Sequence, residues 1–83
     1  MYENIVKTYV SVEVFFDEAG GITPRSIQWE DGRVFFIDKI LDVRPAASLK
    51  AGGQGMRYTC RIQGKETYLF YENPRWFVER KGS

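Results

Sequence analysis

From Val6 to Phe16 the chain alternates without a break. Val6, Thr8, Val10, Val12, Val14 and Phe16 fall on one side of an extended strand, and Lys7, Tyr9, Ser11, Glu13 and Phe15 fall on the other. A period of two over eleven residues, rich in β-branched side chains that suit a pleated surface, commits this segment to a long strand. Nowhere does an apolar period of 3.6 persist for ten residues, and no helix N-cap leads into one. The fold is therefore expected to be all-β.

The rest of the chain reads as strands separated by turn residues. Asp17-Glu18-Ala19-Gly20-Gly21 breaks the first strand, and Ile22 to Trp29 forms a second, with Pro24 marking an edge or bulge. Asp31-Gly32 between apolar runs predicts a two-residue type I′ loop, which sets Glu30 opposite Arg33 and Trp29 opposite Val34. A third strand from Arg33 to about Arg44 is long enough to require a bend or bulge. Pro45 to Met56 reads as a flexible connection with three glycines near its end. Arg57–Gln63 and Glu66–Tyr71 follow as strands joined by a tight turn at Gly64-Lys65. Asn73-Pro74-Arg75 turns the chain with Pro74 in the second position of a type I turn, Trp76 to Glu79 closes it, and Arg80 to Ser83 reads as a frayed end. Five or six strongly bent antiparallel strands in residues 1–83 predict a single small barrel of SH3-like type. An OB-type barrel fits less well, because its usual helix has room for only a turn in Pro45–Met56.

Composition narrows the function classes. In 83 residues, 43% hydrophobic and 16% aromatic, the core must form without disulfides, since Cys60 is the only cysteine. A lone thiol in an alternating apolar segment reads as a small buried hydrophobe, and this usage fits a reducing, cytoplasmic setting. The chain opens without a basic, apolar leader, and charges interrupt its apolar stretches too often for a membrane span. Twelve basic against eleven acidic residues leave a net charge of +1, so attraction to nucleic acid needs a local patch.

No catalytic or cofactor signature emerges. Histidine is absent, which removes Ser-His-Asp and Cys-His catalysis and His-based metal sites, and one cysteine cannot build a structural zinc site. Asp38 and Asp42, four residues apart on a strand, would lie roughly 13 Å apart. Glycosidase carboxylates need a spacing of about 5–10 Å, so these read as solvated charges. Lys50-Ala51-Gly52-Gly53-Gln54-Gly55 fails the phosphate-loop pattern. It matches only the bare G-x-x-G of a KH clamp, without the flanking helices. Trp29, Trp76 and Phe77 read as plugs of the core rather than as a peptide groove.

One surface stands out. The turn at Gly64 sends Tyr58, Cys60, Ile62, Leu69 and Tyr71 to the core side and Arg57, Thr59, Arg61, Tyr68 and Phe70 to the other. Such a face can stack bases and hold phosphates, or bind another protein, with Lys50 and Arg44 as outlying phosphate contacts. The same face could instead be covered by a second copy in a structural homodimer. A turn of different length would exchange the two faces.

The pattern Pro24-x-x-Ile27-x-Trp29-x-x-Gly32-Arg33-x-Phe35-x-Ile37, followed by Arg57-Tyr58-Thr59 and a closing Trp76-Phe77-Val78-Glu79-Arg80, resembles a family of small bacterial β-barrel domains of no established activity. Some of its members are encoded near error-prone DNA-repair polymerases. The resemblance spans residues 22–80. It implies a β fold, is nearly silent on function and carries over no catalytic residue; the function expected from the residues themselves is non-catalytic binding, as an accessory module for nucleic acid or a protein partner.

Overall fold

The structure, a computed structural model, describes residues 5–46 and 55–81. Among the described residues seven strands follow one another: β1 (Ile5–Phe16), β2 (Ile22–Gln28), β3 (Val34–Phe36), β4 (Lys39–Pro45), β5 (Met56–Ile62), β6 (Lys65–Glu72) and β7 (Arg75–Lys81). Among the described residues there is no helix, and so none long and apolar enough to cross a membrane. The glycine-bearing stretch from Lys50, with its G-x-x-G, lies outside the described residues apart from Gly55.

The strands form one antiparallel sheet in the order β3-β2-β1-β7-β6-β5-β4. Two features curl it into a barrel-like shell. β1 serves two partners, since Ile5–Val10 pairs with β7 and Ser11–Phe16 with β2. The two end strands, β3 and β4, are also joined by only Ile37 and Asp38. The Ile37 N–H donates to the Arg25 carbonyl of β2, and the Asp38 N–H donates to the Arg61 carbonyl of β5. Adjacent residues thus reach opposite ends of the sheet. The expected strand Arg33–Arg44 is this pair of segments, and its bend is the crossing, which raises the number of strands to seven.

The concave side holds the main core. Cys60 and Leu69 are wholly buried, and Ile27, Tyr58, Trp76 and Val78 pack around them, flanked by Val10, Val12 and Val14 of β1. Each such apolar side chain contributes about 1.5–3 kcal/mol. Burial pushes the Cys60 thiol up to about 11, which is the behaviour of an inert core group.

Turn chemistry departs from expectation at three places. The Asp31-Gly32 hairpin has a three-residue loop, Glu30-Asp31-Gly32, closed by Trp29 N–H to Arg33 O and Gly32 N–H to Trp29 O, with Gly32 at φ 91°. A turn followed by a left-handed glycine replaces the two-residue loop. Val34 therefore opposes Gln28, and Phe35 opposes Ile27. Arg33 pairs with Asp31, Nε to Oδ2 at 2.7 Å, and not with Glu30.

Between β5 and β6 the loop is Gln63-Gly64, with positive φ at both residues, so Ile62 opposes Lys65 and Tyr58 opposes Leu69. This is the type I′ geometry, which requires the left-handed region twice. The Gln63 N–H donates to Asp38 Oδ2 at 3.1 Å. Between β6 and β7 the loop is Asn73-Pro74 with a cis peptide, and Glu72 opposes Arg75, so Pro74 occupies the third turn position. Of the expected frayed end, Arg80 and Lys81 instead pair with Val6 and Ile5, and residues 82–83 lie outside the described residues.

A cation and aromatic strip on the outer face

The loop at Gln63-Gly64 displaces the β5–β6 register by two, an even number, so each side chain keeps the face assigned from sequence. Arg57, Thr59, Arg61, Tyr68 and Phe70 all lie opposite the core side. The ladder then extends this face across the sheet. Arg44 opposes Arg57, Arg57 opposes Phe70, Phe70 opposes Phe77, and Phe77 opposes Tyr9. One lateral row thus crosses five strands, from β4 to β1.

The rings in this row touch. Phe70 and Phe77 stack with centroids 4.9 Å apart and planes 6° from parallel. Tyr68 meets Phe70 edge-on at 6.5 Å, and Tyr9 meets Phe77 edge-on at 5.9 Å. Offset stacks and edge contacts of this kind add about 0.5–1.5 kcal/mol beyond burial. Phe70 and Phe77 are 8% and 1% exposed, so both are sealed although they lie outside the main core. Tyr68 and Tyr9, at the margins of the cluster, keep 51% and 41% of their surface in water.

Cations roof the rings. Lys7 Nζ lies 4.5 Å from the Phe77 centroid, the Arg75 guanidinium 4.0 Å from Tyr9, and the Arg57 guanidinium 4.5 Å from Tyr68. Their electrostatics differ. Glu72 accepts from Lys7 Nζ and from the Tyr9 hydroxyl, both at 2.9 Å, and sits 3.8 Å from Arg75. The hydrogen bond from Lys7 holds Glu72 below its ordinary value, and the same bond raises Lys7. Arg44 is held by Asp42 at 2.7 Å. Among the described residues no ion pair engages Arg57 or Arg61, and Arg57 Nε is buried with no hydrogen-bond partner. A buried donor left unsatisfied costs about 1–3 kcal/mol.

Of the residues singled out from sequence, the structure gathers Arg44, Arg57, Tyr68 and Phe70 on one face, with Arg61 two steps along β5. Lys50 lies outside the described residues. Phe70 offers no open ring face and instead supports its neighbours. Sequence reasoning missed Tyr9, Lys7, Glu72, Arg75 and the outward side of Phe77. The signal for Tyr9 and Lys7 was their place on the non-valine side of β1. The joining of that side to β5 and β6 passes through β7, a pairing between chain ends.

Elsewhere the chemistry stays sparse. Asp38 and Asp42 serve separate partners, Gln63 and Arg44. Among the described residues no three His, Cys, Asp or Glu side chains cluster as metal ligands would. Trp76 faces the core while Phe77 faces outward, so the two do not share a groove. A cleft of about 830 Å³ runs along the concave side between the far half of β1 and the β6–β7 turn, lined in part by Val14, Phe16, Tyr71 and Trp76. No protein-family model, curated protein or solved structure matches the chain.

Proposed function

We propose that the protein is a non-catalytic accessory module that holds single-stranded nucleic acid on the outer strip of β5, β6, β7 and β1. The observation that carries this reading is Arg57. Its guanidinium has no acidic partner among the described residues, its Nε lacks an acceptor, and it lies over the half-exposed ring of Tyr68. A ligand that combines an anion with a planar apolar face complements the unpaired guanidinium and the half-exposed ring beside it, and nucleotides do so. Among the described residues Arg61 supplies a second charge without an ion pair on the same strand, and Tyr9 a second half-exposed ring. Arg44 and Lys50 would be outlying phosphate contacts. An SH3-like small barrel is the architecture inferred for this scaffold, from the divided β1 and the crossing at Ile37-Asp38. Kinship with the small bacterial domains that residues 22–80 resemble belongs to the same proposal.

Fluorescence anisotropy with a labelled oligothymidylate, titrated at low and rising salt, tests it. With two phosphates neutralised, the log–log salt slope is about −1.4, so binding is weak and disappears at high salt. Arg57→Glu abolishes it, and duplex DNA of equal length binds less. Absence of binding at low salt, or binding indifferent to Arg57→Glu, refutes the reading. A second reading, a homodimer that buries this face, follows from the same unpaired charges and half-exposed rings. It requires a dimer in sedimentation that Arg61→Glu dissociates.

A further inference from the structure

Among the described residues the sheet has two free edges, and they are built differently. β4 carries the devices that discourage strand addition. It has a bulge between Ile40 and Asp42, the Asp42–Arg44 ion pair, and Pro45, which has no N–H to offer. β3 has none of these. Its protection is only its shortness.

The three-residue loop at Glu30-Asp31-Gly32 decides what β3 presents. Trp29 N–H donates to Arg33 O and Ile37 N–H donates to Arg25 O, so the odd-numbered residues of this segment exchange bonds with β2. Alternation then points the N–H and C=O of Val34 and Phe36 away from the sheet, at the open edge. The same two residues expose their side chains, 48% for Val34 and 69% for Phe36, the latter the most exposed large apolar side chain described. Unpaired backbone and bare apolar surface coincide on two residues.

We infer that β3 pairs antiparallel with β3 of a second copy of this chain, about a two-fold axis through Phe35. This register sets Val34 opposite Phe36 of the second copy in both halves, which supplies four backbone hydrogen bonds and two apolar cross-strand pairs. The neighbouring symmetric registers are worse. Centring on Val34 needs the N–H of Gly32, which is already given to Trp29 O, and centring on Phe36 needs that of Asp38, already given to Arg61 O. A segment complementary to itself under a two-fold is what an isologous contact requires. The contact is small, so the dimer is weak and depends on concentration. It lies on a different edge from the cationic strip and does not rest on the nucleic-acid reading.

Cysteine cross-linking tests the register. The native Cys60 is wholly buried and does not compete. Val34→Cys and Phe36→Cys chains are prepared separately and exposed to mild oxidation, alone and mixed. The mixture gives a disulfide-linked dimer in at least tenfold excess over either chain alone, because only the 34-to-36 pair is directly opposed. Equal yields in all three samples, linkage only in the unmixed samples, or no linkage overturns the proposal. In parallel, sedimentation of the unaltered chain across a dilution series shows a dimer at high concentration. Phe36→Lys, at a site too exposed to threaten folding, weakens it at least tenfold, while Arg57→Glu leaves it unchanged. A monomer throughout, or a dimer indifferent to Phe36→Lys, overturns it.

Discussion

Leu69→Ala and Tyr68→Thr alter neighbouring residues of β6 that face opposite ways, and the contrast between them tests the assignment of faces. Leu69 is fully buried, and its loss leaves a cavity beside Cys60 and Tyr58. Such a change costs about 3–5 kcal/mol. The whole domain, at 83 residues, is worth on the order of 4–12 kcal/mol, so this variant is near unfolding. Tyr68 keeps half its surface in water and touches mainly the Arg57 guanidinium and the edge of Phe70. Threonine keeps the branched Cβ that suits a strand, so the substitution isolates the ring. An exposed cation–π contact and partial burial come to about 1 kcal/mol.

At about 4–8 °C per kcal/mol, Leu69→Ala lowers Tm by about 12 °C or more, and Tyr68→Thr by less than about 8 °C. Thermal unfolding followed by circular dichroism at two protein concentrations reads both. If Tyr68→Thr costs as much as Leu69→Ala, the outer ring is covered rather than open. If that cost grows with protein concentration, a second copy covers it, and the reasoning about the strip fails.

Two further outcomes follow from local geometry. Glu72 is held below its usual value, so its contribution is complete above about pH 4.5 and is lost as pH falls through the lower folded value. The stability gap between the unaltered chain and Glu72→Gln is therefore constant near neutrality and closes in acid, as urea unfolding at several pH values will read, whereas a gap that widens in acid contradicts the ion pair. Gly64 sits at φ 78° with open space where a Cβ would go, so Gly64→Ala costs only the backbone penalty of about 1–2 kcal/mol. Gly64→Asn costs less, and a near-neutral alanine in denaturant titration would contradict the type I′ loop.

Side-chain direction was largely legible from the residues alone, because alternation is a property of each strand by itself. The valines of β1 and the Tyr58–Cys60–Ile62 row needed no knowledge of their partners. Even a misplaced turn did no harm at Gly64, where the error in register was even and parity survived. At Asp31-Gly32 the loop was longer by one residue, the error was odd, and the pairing of Trp29, Val34 and Phe35 changed with it. Both loops contain a glycine that can take positive φ. What selects between them is whether Ile27 and Phe35, or Tyr58 and Leu69, meet on the core side, and that is settled by packing.

The outer strip and the curl of the sheet belong wholly to the tertiary level. Lys7 and Glu72 are 65 residues apart, and nothing near either one announces the other. The division of β1 between β7 and β2, and the crossing at Ile37-Asp38, arise because a twisted sheet of this size covers its core only by bringing its ends together. Local chemistry determined that this chain is strands and which side of each is apolar. The closure of the sheet decided which polar sides became one surface.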